Sequence, residues 1–167
     1  MGPPAEEDGT HFGLHGNFNW GSPLFSSASL LKIEAESTEV RNKNVEADIW
    51  KTFMEPRRSF EEQVYLHRLK PGPENKAGYE LFNPELKLGV RAEWDMAPLP
   101  CFTQWLMCGE GEYVLGLEPG NFFPTGRVSE RKHKRLEFLA ANSEKEVSLS
   151  VEILDHEKIS GQPQRKA

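Results

Sequence analysis

The chain has 167 residues, 37% of them apolar, and carries a formal net charge of −6, with an isoelectric point near 5.4. That supplies one core without a disulfide scaffold and excludes a wholly disordered chain. The acidic balance argues against a general nucleic-acid binder, whose electrostatic attraction needs a basic surface. No apolar run approaches the ~20 residues of a membrane span, and the opening MGPPAEEDGT is acidic where a signal peptide would be basic and then apolar. Gly2 is followed by two prolines and no hydroxyl residue, so no myristoyl anchor is expected. The expectation is a soluble, cytoplasmic protein.

In chain order, residues 1–10 are polar and expected to be flexible. Residues 11–156 form one expected domain, and 157–167, with nothing to pack, a flexible tail. The domain reads as mostly β, because apolar residues alternate more often than they recur at helical spacing. Trp50 to Met54 suggests a short helical turn limited by Pro56. Val64 and Leu66 point to one side of a strand and Gln63, Tyr65 and His67 to the other, giving an apolar face and a face equipped for polar contact. Tyr79 to Phe82 and Leu86 to Trp94 form a hairpin around Asn83-Pro84-Glu85. Cys101 to Leu117 suggests two strands around Gly109-Glu110-Gly111, followed by a loop imposed by Gly120, Pro124 and Gly126. Val147, Leu149, Val151 and Ile153 alternate with polar residues in a half-buried strand. The inventory predicts an antiparallel β-sandwich. Cys101 and Cys108 would stand roughly 23 Å apart along a strand at ~3.3 Å per residue, beyond disulfide reach, and are expected to be reduced and buried.

Three groups of residues could carry chemistry. On a strand, His15, Asn17 and Asn19 share one face, beside Trp20. An imidazole and two amides suit a sugar, whose hydroxyls need directional donors and acceptors and whose C–H faces stack on rings. The competing reading is a histidine satisfied by backbone at a turn. Glu118 lies between an apolar strand and Pro119-Gly120-Asn121, where partial desolvation would shift its pKa toward that of a useful base. Against this stands a solvated glutamate ending a strand. Arg127 to Arg135 could grip phosphate, but acidic interruptions and the lack of interleaved aromatics favour a solvated loop. His11 and His15 have the spacing of a helical zinc pair, yet Gly13 and Gly16 oppose a helix and no glutamate follows His11, so no metal site is expected.

The segments LHGNFNWGSPL, FEEQVYLHRL, LPCFTQW and GEGEYVLGLEPGN resemble, in the same order, the C-terminal half of an aldose 1-epimerase-like family. The family lies in a branch of the galactose-mutarotase superfamily largely described as a domain of unknown function. The resemblance spans roughly residues 12–155, and GEGEYVLGLEPGN is its most specific part. It implies that His15, with Phe18 and Asn19, matches a His-x-x-Phe-Asn run whose histidine protonates the sugar ring oxygen. It also implies that Glu118 matches the general base toward the anomeric hydroxyl. His67 resembles a sugar-hydroxyl contact, although the superfamily often presents an Asp there. Gln104 and Trp105 resemble cleft residues, and Asn121, following the base, and Arg127, nearby, are expected as further substrate contacts. The implied activity is interconversion of sugar anomers without metal or redox cofactor. The alternative is a carbohydrate-binding or β-sandwich interaction module without catalysis.

The family's antiparallel supersandwich is about twice this length. Its N-terminal half, which supplies an Arg and a second His, is expected to be missing here. Edges so exposed would invite a homodimer or a partner chain.

Overall fold

The computed structural model describes residues 12–19, 24–42, 45 and 47–155. The expected flexible ends, 1–10 and 157–167, lie outside them, as do His11 and Trp20. The described residues form an antiparallel β-sandwich of strands β1 (Gly16–Asn19), β2 (Leu30–Ile33), β3 (Ala35–Val40), β4 (Gln63–Leu69), β5 (Lys76–Asn83), β6 (Leu88–Asp95), β7 (Cys101–Gly109), β8 (Glu112–Gly120) and β9 (Leu149–Asp155). One sheet has the order β1-β8-β7-β4-β3 and the other β2-β5-β6-β9. Among the described residues no helix is long and apolar enough to cross a membrane.

Turn chemistry sets the two central hairpins. Between β5 and β6, Asn83 Oδ1 accepts the N–H groups of Glu85 at 3.0 Å and Leu86 at 3.3 Å, an Asx turn that reverses the chain. Between β7 and β8, Gly109 pairs with Glu112, and the turn places Gly111 at φ 88°, a conformation that glycine adopts without a Cβ penalty. The step from one sheet to the other is Glu34 alone, between β2 and β3, and this corner closes one side of the sandwich. A 3-10 turn over Ala47–Lys51 stands where the short helical turn was expected, a few residues earlier. Arg127–Lys132 is a short helix, α1, rather than a loop.

The core lies between the sheets, around Phe102, Leu106, Leu115 and Leu117 from β7 and β8 and Leu81, Ala92 and Trp94 from β5 and β6. Phe102 is ringed by Tyr79 and Trp94 at centroid distances of 5.9 and 5.4 Å, in the offset geometries that aromatic quadrupoles favour. Cys101 and Cys108 are both buried free thiols.

The face of β4 expected to make polar contacts turns into this core. His67 and Gln104 are fully buried there, so neither reaches an external ligand, contrary to their expected place in a sugar cleft. They instead satisfy one another. Gln104 Oε1 can only accept, so His67 Nε2 donates to it at 3.1 Å, leaving Nδ1 to accept from the Thr38 hydroxyl at 2.9 Å. Gln104 Nε2 closes the chain on the Trp50 carbonyl at 2.9 Å. Burial lowers the His67 pKa to about 4, overcoming the opposing effect of the Gln104 bond, so the ring is neutral.

Candidate functional site

The outer face of the five-stranded sheet is set by the register of its strands. Asn17 stands opposite Gly116, Gly116 opposite Trp105 and Trp105 opposite Val64. Since side chains alternate along a strand, Glu118 and Asn19 project from the same face. His15 immediately precedes β1 and arrives beside Glu118. The imidazole Nδ1 lies 3.2 Å from Glu118 Oε1, with the two side chains 59% and 20% exposed. Two residues 103 positions apart are thus brought into contact at the open surface of the sheet.

Backbone bonds hold this junction. Leu14 N–H donates to Pro119 O at 2.9 Å and Asn121 N–H to Phe12 O at 3.1 Å, while Asn121 Oδ1 accepts the Phe12 N–H at 3.0 Å. Asn121 also donates to Glu137 at 3.0 Å and is buried. It is therefore buried as a staple for the segment carrying His15, where a substrate contact was expected.

Gly116 forms a notch in the floor. A Cβ built there would stand 2.7 Å from Glu118 Oε1, 3.3 Å from Trp105 Cβ and 3.5 Å from Asn17 Oδ1, so the missing side chain is what lets the carboxylate fold back toward Asn17 and Trp105. Partial burial raises the Glu118 pKa above the ordinary glutamate range, against the lowering effect of His15.

Trp105 is half-buried and donates its indole N–H to Glu62 Oε2 at 2.8 Å. Glu62 also accepts from Arg41 at 2.8 Å. Glu62 and Arg41 extend the polar side of the face and were absent from the sequence-based set. Glu62 could have been found, because it has the parity of Val64 and Leu66 on β4. Beyond them Phe123 caps a small apolar cluster of Val64, Leu66 and Cys101. Its loop is clamped by fully buried Glu130, which accepts from Arg135 at 2.7 and 2.8 Å, from Thr125 at 2.6 Å and from the Phe123 N–H at 3.3 Å. Desolvation alone would raise the Glu130 pKa, but these donors hold it down at about 2. Arg127 is exposed at the start of α1 and belongs to none of the rows above.

The face thus gathers His15, Glu118, Asn17 and Trp105, with Asn19 one row away. It excludes His67 and Gln104, which point through to the core. Among the described residues no group of three or more His, Cys, Asp or Glu could hold a metal ion.

The model of a family described as a domain of unknown function, DUF4432, matches residues 17–153. The chain belongs to that family. Among solved structures, one from Klebsiella pneumoniae subsp. pneumoniae MGH 78578, described as a "putative aldose 1-epimerase", matches with a TM-score of 0.78 and 22% identity. The match covers 90% of this chain and 40% of that one, so the chain spans less than half the length of the protein whose fold it shares. A search of curated proteins returns no match. The DUF4432 chain therefore has an aldose 1-epimerase-like β-sandwich fold, as the sequence resemblance implies.

Proposed function

We propose that this DUF4432 chain binds carbohydrate on the outer face of its five-stranded sheet and interconverts sugar anomers, with His15 as acid and Glu118 as base. The observation that carries this reading is the 3.2 Å meeting of the two groups beside amide and indole side chains. Mutarotation needs one group to take the proton of the anomeric hydroxyl and another to protonate the ring oxygen. The C1–O5 bond then breaks to the open aldehyde, which turns about C1–C2 and recloses with the proton movements reversed. A positioned acid or base contributes about 10²–10⁴-fold each.

The contact leaves no room for a pyranose between the two groups, so productive binding requires the imidazole to swing aside. Its 59% exposure permits that. Departure of the imidazole removes its lowering influence on Glu118, which makes the carboxylate a stronger base when the substrate arrives. Asn17 and Asn19 offer both donors and acceptors to hydroxyls, and Trp105 a ring for a C–H face.

The test is exchange NMR on freshly dissolved aldoses, paired with a sugar-binding titration. Glu118→Gln and His15→Ala should each abolish catalysed exchange while sugar still binds. Full activity in either variant removes that residue from the mechanism. Binding without exchange in the wild-type chain supports instead a non-catalytic sugar-binding module.

A further inference from the structure

The apolar rows of the four-stranded sheet run past the point where burial stops. Ile33, Tyr79 and Ala92 form one row across β2, β5 and β6, and Leu31, Leu81 and Val90 another; all six are buried. Each row gains one more member on β9, Val151 opposite Ala92 and Ile153 opposite Val90. There the side chains are 60% and 59% exposed. Among the described residues β9 is an edge of its sheet, and an edge strand carrying β-branched residues on its core side is a template for a further strand.

We propose that this strand is β9 of a second copy of the chain, paired antiparallel about a two-fold axis at Val151. In an antiparallel pair, residues directly opposite share a face, so a self-pairing register must join like parities. Centred on Val151, the sequence LSVEILD sets Val151 against itself and Leu149 against Ile153, an unbroken apolar row on the core side. On the outer side it sets Glu152 against Ser150, a carboxylate against a hydroxyl donor. Centred on Glu152, the same strands would oppose two carboxylates, which is unfavourable. Centred on Ile153, they would oppose Val151 with Asp155 and Glu152 with Leu154. Within each copy Arg91 already answers Glu152 at 2.9 Å, which completes the charge match at the chosen register. The two sheets then continue as one across the axis, the closed isologous arrangement that does not propagate into fibres.

The full chain, studied by sedimentation velocity and light scattering, should show a particle of twice the 19.0 kDa chain mass. The Val151→Lys/Ile153→Lys double variant should be a monomer with unchanged circular dichroism, because both positions are exposed within one copy. Register is read by mild oxidation. Val151→Cys should form a disulfide-linked dimer, since directly opposed Cβ atoms lie about 4.5–5.5 Å apart, whereas Glu152→Cys should not. Buried Cys101 and Cys108 do not compete. A wild-type monomer at high micromolar concentration overturns the proposal, as does a dimer that survives the double lysine variant. Crosslinking at position 152 in preference to 151 overturns the register.

Discussion

Acidification should destabilise the sandwich through His67. Its imidazole is fully buried and neutral, donating to Gln104 and accepting from Thr38, with a pKa lowered by burial from 6.5 to about 4. The unfolded chain takes up a proton at the ordinary value, while the folded chain resists until the lower one. The stabilisation is therefore complete above the unfolded pKa and is lost as the pH falls from 6.5 toward 4. At about 1.4 kcal/mol per pH unit, the loss attributable to this group is about 3 kcal/mol. The assay is urea unfolding at both ends of that window for the wild type and for His67→Gln, which retains hydrogen-bonding capacity but does not titrate. Glu118 and Glu130 titrate in both proteins and cancel in the difference. The wild type should lose about 3 kcal/mol more than the variant on acidification. Parallel pH dependences, or a His67 imidazole resonance titrating near 6.5 in the folded protein, would refute the reasoning.

Gly116→Ala should leave the fold intact, because the atom 2.7 Å from the new Cβ is the movable carboxylate of Glu118. It should cut anomer exchange by about tenfold or more through misplacement of that base. Exchange NMR beside a thermal melt measures both, and unchanged exchange would show that the notch has no part in catalysis. Glu130→Gln removes the buried charge that pairs with Arg135 and should cost about 3 kcal/mol in chemical denaturation, with a change in the near-ultraviolet signal as the clamp on Phe123 weakens.

The hairpins were legible because their turn residues are local. Asn83-Pro84 and Gly109-Glu110-Gly111 fix reversals whatever lies above or below the sheet. The alternation of Val64 and Leu66 against Tyr65 and His67 was equally legible, but its sense was not. Period two says that the sets part company, and only the second sheet decides which one is interior. The more polar set became core because Thr38, Gln104 and the Trp50 carbonyl, all distant in sequence, satisfy it. The same period separates Gln104 from Trp105, so two consecutive residues could not both line one cleft. In β9 the alternation was visible, while the exposure of Val151 and Ile153 depends on where the neighbouring strands end. β2 and β3 carry little legible signal because LLKI and AESTEV are short edge strands with little apolar periodicity. Glu130 looked like an interruption in a basic run, and became an anchor only through a loop that folds Arg135 back onto it.

The way His15 is tethered determines how it can move. Leu14 ahead of it is bonded to Pro119, and Gly16 behind it is paired with Leu117, so the main chain is pinned on both sides while the ring projects outward. Uncovering Glu118 thus takes a single side-chain rotation, with no loop opening. Exposed rotamers exchange in picoseconds to nanoseconds, so in the proposed reaction this rotation adds no kinetic barrier.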